Sequence, residues 1–342
     1  MKAAYLKRVG ELVVEETAVP ECPSWGVLVR VKEIGICGSD LHYFNEGRIG
    51  DHVVTDPHIL GHEASGMVAE VGRDAVGFAV GDRVCIEPGV PCMSCEFCRR
   101  GRYNLCEAVR FSGAPPYQGM LREYLVHDPR FLCRLPDSVS FTQGALAEPL
   151  AVAHNAIRKA AVLPGDTVLI TGAGPIGLSC VEMALVAGAS MVVVSEPKAH
   201  RRDCALSLGA GLAVDPRNED LREALRDFTG GRMVDCAIEA SGSESAIAQS
   251  ITCIRKGGRV VFVGMGKEIQ GIPHAEILRK EAVISGIYRY ANDFSPVIEL
   301  LAAGRLRGEA WVSHRYPLSD IVAAFGMAND ATARTLKVVV HT

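Results

Sequence analysis

From residue 167 onward, short apolar runs alternate with amphipathic stretches so regularly that few folds can accommodate the chain. The runs fall at 167–171, 191–195, 212–214, 234–238, 259–263 and 282–287. Stretches of helical period fill gaps between them at 175–187, 199–208, 218–228 and 244–254. The runs are nearly continuous Val, Ile and Leu, as expected of strands buried on both faces by crossover helices. The alternation predicts an α/β region with a doubly wound, parallel, six-stranded sheet of Rossmann type.

Between the first run and the first helical stretch lies Gly172-Ala173-Gly174-Pro175-Ile176-Gly177. A G-x-G-x-x-G pattern carries weight only when it leaves a strand and opens a helix, and this one does both. Gly172 permits the tight turn, Gly174 lets backbone approach a pyrophosphate, and Gly177 allows close packing of helix on strand. Pro175 suits a first helical turn. The helix start offers unpaired N–H groups and partial positive charge to phosphates. Glu196 ends the second run, where a carboxylate accepts hydrogen bonds from an adenosine ribose and repels a 2′-phosphate. NAD is therefore expected over NADP, with Arg201 positioned to stack on adenine. The competing reading is an ordinary strand–helix turn with surface charges.

Residues 1 to about 90 behave differently, with short alternating runs such as 12–16, 27–31, 67–72 and 82–86 punctuated by Gly and Pro. That spacing argues a β-barrel or sandwich. Short strands return over 111–135. Residues 142–161 read as one or two helices interrupted at Pro149, and a last helix at 294–303 and a closing strand at 335–340 are expected to rejoin the first part. The domain organisation expected is 1–149 with 288–342, and 150–287.

The chain has twelve cysteines. Cys92, Cys95, Cys98 and Cys106 have the spacing of a closed structural zinc site, with a redox C-x-x-C pair as the alternative. Cys22, Cys85, Cys133, Cys180, Cys204, Cys236 and Cys253 are scattered and read as small buried hydrophobes. Cys37 sits in Gly35-Ile36-Cys37-Gly38-Ser39-Asp40-Leu41-His42-Tyr43, and Gly61-His62-Glu63 follows 25 residues later. A thiol, an imidazole and a carboxylate bind zinc while leaving a coordination position open. Glu148, at the domain boundary, is a further candidate carboxylate. On spacing alone these residues support a candidate metal site and no more.

The length of 342 residues suits two domains, and the net charge of −4 gives no electrostatic reason to expect nucleic acid or an anionic membrane as partner. No apolar run reaches the ~18 residues of a membrane span, and residues 1–8 lack the apolar core of a leader. A cytoplasmic protein is expected.

Over nearly its whole length the sequence resembles the zinc-dependent medium-chain alcohol dehydrogenases, and within them the sorbitol (polyol) dehydrogenase branch. The resemblance is carried by Gly61-His62-Glu63-Ala64-Ser65-Gly66 with Gly72, by 35–43, by Gly47-Arg48-Ile49-Gly50-Asp51, by Ile86-Glu87-Pro88-Gly89, by Gly101-Arg102-Tyr103-Asn104-Leu105, by Glu148-Pro149-Leu150 and by Gly286-Ile287-Tyr288-Arg289-Tyr290. It implies a GroES-like β-barrel catalytic domain beside the Rossmann domain, and a homotetramer or dimer.

The resemblance also implies site residues. Cys37, His62 and Glu63 would bind a catalytic zinc, with Glu148 coordinating it or lying beside its water. A second zinc would lie in the cysteine lobe, making two per chain. Tyr43, Phe111, Arg289 and Tyr290 would face the substrate. Val263-Gly264-Met265 and Ile287-Tyr288-Arg289 would hold the nicotinamide with their backbone. Ser39 and His42 would pass a proton outward through the nicotinamide ribose. The site would then lie in the cleft between the two domains. Ala114 stands where mammalian members carry threonine, and Glu196 where aspartate is more usual. The activity implied is oxidation of a secondary alcohol of a sorbitol- or xylitol-like polyol to a ketose with NAD+. L-threonine or a sugar acid of idonate or galactonate type is the alternative substrate. A non-enzymatic relative is the remote alternative, disfavoured because the zinc ligands are all present.

Overall fold

A computed structural model describes residues 1–266 and 271–342. They divide into two units. The first comprises Met1–Glu148, Phe294–Ala302 and Val312–Thr342, and the second Pro149–Asp293 and Ala303–Trp311.

The second unit carries the sheet that the alternating runs imply. Six parallel strands lie in the spatial order Leu212–Val214, Met191–Ser195, Thr167–Thr171, Val234–Glu239, Ile254–Phe262, Val283–Gly286. This is the doubly wound order, in which the chain starts at the middle strand, builds outward, and returns to build the other half. Thr167–Thr171 is buried at every position, as a strand between two neighbours and two helical layers must be. The helix Leu221–Phe228 starts later than its periodicity suggests, because Asp220 caps it by accepting the N–H groups of Arg222 and Glu223. The helix His274–Lys280 was not apparent from the sequence; it has no buried residue and hence no apolar stripe to reveal it.

The segment 303–311 belongs to this unit for an identifiable reason. Trp311 is fully buried, and its Nε1 donates to Glu182 Oε2 at 2.9 Å. The other Glu182 oxygen accepts the Arg307 N–H. A carboxylate inside an otherwise apolar helix, Pro175–Val186, thus finds partners in a distant stretch of chain.

The first unit is built mainly on antiparallel pairing, with Val312–Pro317 and Lys337–His341 paired in parallel. Its largest sheet runs Leu132–Arg134, Arg83–Ile86, Glu63–Val71, Val27–Gly35, Lys337–His341, Val312–Pro317, with Tyr124–His127 also pairing Val27–Gly35. A second sheet joins Glu11–Glu16, Lys2–Arg8 and His58–Ile59. Their inward faces share one apolar core that includes Leu6, Val29, Ile34, Leu60, Ile86 and Phe325.

Two expectations need correction. Phe141–Ala160 is one continuous helix with Pro149 inside it, rather than a helix interrupted there. Proline removes one intrahelical hydrogen bond and crowds the preceding turn, at a cost of about 3 kcal/mol. Ala145, Leu146, Ala147, Leu150, Ala151, Ala153 and Ala156 around it are completely buried, and that packing outweighs the cost. The two units meet in sequence at this proline. Of the seven scattered cysteines, Cys22, in the loop between Glu11–Glu16 and Val27–Gly35, and Cys133, on the edge strand Leu132–Arg134, are only half-buried; the other five are buried.

Candidate metal centre and dinucleotide site

The two halves of the metal motif meet because of strand register. Gly35, the last residue of Val27–Gly35, pairs with Glu63, the first residue of Glu63–Val71. Cys37 follows two residues after Gly35 and begins the helix Gly38–Glu46 in an extended conformation. His62 immediately precedes Glu63, after a turn at Gly61 whose φ of +91° favours glycine. Donor atoms of Cys37, His62 and Glu63 consequently lie within 4.8 Å of one another. His62 and Glu63 are buried and Cys37 is half-buried.

Each donor has a support. Asp40, third in the helix that Cys37 starts, accepts the Cys37 N–H at 2.9 Å and the Gly61 N–H at 3.0 Å. Its Oδ1 also lies 3.6 Å from His62 Nδ1. Asp40 therefore ties both motif halves together and orients the imidazole. Burial opposes charge on His62, but the nearby Asp40 carboxylate and Cys37 sulfur outweigh it and hold its pKa well above the ordinary value. Burial likewise works against ionised Asp40, yet His62 and the two backbone donors keep its pKa below the usual range.

Glu63 is held by Lys337, at the start of the closing strand. Lys337 Nζ donates to Glu63 Oε1 at 2.7 Å and to the Ile36 carbonyl at 2.9 Å, and lies 2.5 Å from Oε2. Lys337 thus sits against both oxygens of the buried carboxylate. Burial disfavours the ammonium, but Glu63, with Cys37 and Glu148 behind it, raises the Lys337 pKa above the lysine range. A Cβ on Gly35 would stand 2.0 Å from Glu63 Oε2, so only glycine leaves room for the carboxylate. A thiol, an imidazole and a carboxylate brought this close together fit zinc, and three protein donors leave a position for substrate.

Glu148 is buried and acts electrostatically on Lys337, but it does not join the three-residue set. Phe111 stands over His62, with ring centroids 5.5 Å apart. Tyr43 is buried among the core residues of the first unit. Ser39 and His42 are three residues apart on one helix; Ser39 is half-buried, while His42 is exposed beside Glu46.

The cysteine lobe is more local. Donor atoms of Cys92, Cys95, Cys98 and Cys106 fall within 4.8 Å of each other. The Cys95–Cys98 and Cys92–Cys98 sulfur separations are 3.4 and 3.9 Å. Four sulfurs about 2.3 Å from a tetrahedral zinc stand about 3.8 Å apart, so the lobe fits a closed zinc site. Hydrogen bonds from the Ser94 hydroxyl and from backbone N–H groups lower the Cys92 pKa to about 6. Burial and the neighbouring thiols push Cys98 up to about 12.

In the second unit, Gly172 has φ +92°, and a Cβ on Gly177 would meet the Gly172 carbonyl at 1.9 Å. Glu196 is buried; its Oε2 accepts the Ala173 N–H at 2.8 Å and its Oε1 the Lys198 N–H at 2.9 Å. Arg201 NH1 lies 3.9 Å from Glu196 Oε2 and flanks Gly174. The carboxylate is thus locked against the glycine loop, and the loop's closeness to the helix start leaves a cradle suited to a pyrophosphate.

Val263 and Gly264 donate N–H groups to the Glu239 carbonyl at 2.8 and 3.0 Å. The Glu239 side chain accepts the N–H groups of Ser241 and Gly242 at 2.8 and 2.9 Å. A Cβ on Gly264 would strike the Gly242 nitrogen at 2.2 Å, so the two turns are in direct contact. Met265 is exposed. Ile287 N donates to Phe262 O at 3.1 Å. Tyr288 is exposed and Tyr290 buried, and Arg289 Cζ lies 4.7 Å over the Tyr288 ring.

Sequence reasoning missed Asp40, Lys337 and Glu239 as organisers. Asp40 stands at the N3 spacing of a capping box from Cys37, a readable signal. Lys337 interrupts the run Leu336 to Val340, and a charge inside an apolar strand implies a buried partner without naming it.

Residues 175–303 match the family model of zinc-binding dehydrogenases, and 24–137 that of the alcohol dehydrogenase GroES-like domain. The chain is 42% identical over 325 residues to sorbitol dehydrogenase of Gallus gallus, covering 94% of this chain and 92% of that one. It is 38% identical over 344 residues to sorbitol dehydrogenase of Bacillus subtilis (strain 168), covering 100% and 97%. A solved zinc-binding dehydrogenase from Sinorhizobium meliloti 1021, bound to NADP, superposes with a TM-score of 0.93 at 31% identity, covering 100% and 99%.

Lys337→Met should leave Glu63 buried without its counter-charge and destabilise the metal-free protein by about 3–5 kcal/mol. Zinc should recover part of that loss, since a cation beside Glu63 replaces the missing charge. Thermal unfolding of stripped and zinc-loaded protein reads this; an unchanged midpoint in the stripped variant would refute it. Metal uptake at Cys37, His62 and Glu63 should also weaken as pH falls. The raised pKa keeps His62 protonated in the empty site at neutral pH, and the metal must displace that proton. Chelator competition across pH 6–9 checks this; a pH-independent affinity would contradict it.

Proposed function

The chain belongs to the zinc-dependent medium-chain alcohol dehydrogenases, in their sorbitol dehydrogenase branch, and from that premise we propose that it oxidises a secondary alcohol of a sorbitol- or xylitol-like polyol to a ketose, with NAD as acceptor. The observation that carries this reading is the buried set of Cys37, His62 and Glu63, braced by Asp40 and Lys337.

Cys37, His62 and Glu63 would hold a zinc ion, which would supply a Lewis acid easing loss of the alcohol proton. Gly172, Gly174 and Gly177 would hold a nicotinamide dinucleotide, which would supply the hydride acceptor. A second zinc in Cys92, Cys95, Cys98 and Cys106 brings the count to two per chain and holds the lobe.

The chain's own residues do the rest. Asp40, beside His62 Nδ1, keeps the ring in one orientation and leaves Nε2 to serve as the metal donor. Lys337 pairs with Glu63 inside the unit and holds its carboxylate in place. Glu148, a buried carboxylate, accepts the departing proton. Ser39 and His42, on one helix, move that proton from a half-buried place to an exposed one. Phe111 walls the site against His62 and excludes water. Arg289 and Tyr290 supply the polar contacts that select a polyol. A site that hydrogen-bonds substrate hydroxyls strongly rejects analogues lacking them. Glu196 accepts the ribose hydroxyls of NAD with the lone pairs its two backbone donors leave free, and stands against a 2′-phosphate.

A screen of sorbitol, xylitol, L-threonine and sugar acids against NAD and NADP, read by nicotinamide absorbance, tests the assignment. Polyols with NAD should give the highest kcat/KM; preference for threonine or a sugar acid would overturn the substrate. Metal analysis should find about two zinc ions in the parent and about one in Cys37→Ser, which should fold but lose turnover. Near-normal turnover in that variant would refute the site. Glu196→Ala should cut the NAD-over-NADP preference by about tenfold or more. An unchanged ratio would remove Glu196 from cofactor choice.

A further inference from the structure

One turn of the helix Phe141–Ala160 presents three polar side chains to the loop 289–293. Asn155 Nδ2 donates to the Arg289 carbonyl at 2.8 Å. His154 Nδ1 lies 2.6 Å from Asp293 Oδ1, and Arg158 NH2 donates to the two Asp293 oxygens at 3.1 and 3.2 Å. The Asp293 side chain is wholly buried and accepts the Ala291 N–H at 2.9 Å. All of these residues lie in the second unit.

The loop they hold is in an unusual state. Arg289 has φ +54° and Asn292 φ +64°. A long side chain in the left-handed region is uncommon and persists only where the surroundings over-determine it. The loop has no helix or strand of its own, so its conformation is set by what grips its polar groups. Asp293 anchors its far end. The Arg289 carbonyl, which turns with the φ and ψ of that residue, is gripped by Asn155.

We propose that Asn155 is a positioning residue for substrate choice: by holding the Arg289 carbonyl it keeps Arg289 left-handed and so fixes the direction in which the guanidinium leaves the loop. Return of Arg289 to a right-handed or extended conformation would re-aim its Cα–Cβ bond and swing the far end of the side chain by several ångströms. Misplacement of about 1 Å already impairs a positioned group. Asn155 would thereby separate polyols with hydroxyls beyond the reacting carbon from alcohols without them. This inference rests on the assignment of Arg289 to the substrate made above.

The test compares the parent, N155D, R289A and the double variant with sorbitol as substrate. N155D keeps shape and volume but replaces the donor by an acceptor that repels the carbonyl. The expected result is a rise of about tenfold in KM with N155D, a smaller fall in kcat, and a comparable rise with R289A. The double variant should be no worse than R289A alone, since Asn155 acts through Arg289. A generalised structural defect would instead multiply with R289A and lower the thermal midpoint. N155A, which removes the donor without adding charge, should repeat the KM effect. The inference is overturned if N155D and N155A leave KM within about twofold while R289A raises it, or if the two effects multiply. Absence of sorbitol oxidation by the parent, or an unchanged R289A, would instead bring down the assignment beneath it.

Discussion

The ion pair between Lys337 and Glu63 is the constraint on which the candidate metal centre depends. Both side chains are buried, at 2% and 1% exposure, where each charge alone would cost several kcal/mol to desolvate. Stability does not require such a pair, because two packed apolar side chains often serve a core at least as well. A metal centre does require an ionised carboxylate there. Lys337 makes that charge tolerable before any metal arrives. The arrangement also dictates Gly35, since any side chain there would displace the carboxylate.

The same economy of placement runs through the site. Antiparallel pairing of Val27–Gly35 with Glu63–Val71 brings Gly35 opposite Glu63, and the two motif halves need only continue past those ends to meet. Lys337 arrives on the strand that flanks Val27–Gly35 on its other side. Asp40 then uses one carboxylate for three tasks: it closes the helix start at Cys37, fixes the Gly61 turn and orients His62. A substitution at Asp40 would disturb metal geometry and local folding together.

What could be read in the sequence was what is encoded locally. The second unit's strands follow from uninterrupted Val and Ile runs, and the glycine loop follows from its place between strand and helix. The cysteine lobe follows from spacing alone. Contacts that close over long stretches were not legible. Lys337 and Glu63 are 274 residues apart, and His154 and Asp293 are 139 apart. Nothing in local periodicity specifies such partners. Pro149 was misleading for the converse reason: its local preference is to break a helix, and burial of its neighbours overrides that preference. His274–Lys280 escaped because an exposed helix has no buried stripe to announce it.

The two metal sites differ in what holds their donors before metal binds. Cys37, His62 and Glu63 are placed by sheet register, by Asp40 and by Lys337, so their geometry belongs to the fold. The four lobe cysteines lie within fifteen residues, on a short helix and turns, with Cys92 exposed. Backbone N–H groups of Cys95 and Cys98 already point at the sulfurs of Cys92 and Cys95 at 3.4 and 3.5 Å, an arrangement that favours thiolates. Yet Cys98, at about 12, keeps its proton at neutral pH, and closing the site must remove it. Metal binding in the lobe would therefore release protons. At the other centre the protein has already supplied the geometry, and the metal finds a position shaped in advance by a lysine from the end of the chain.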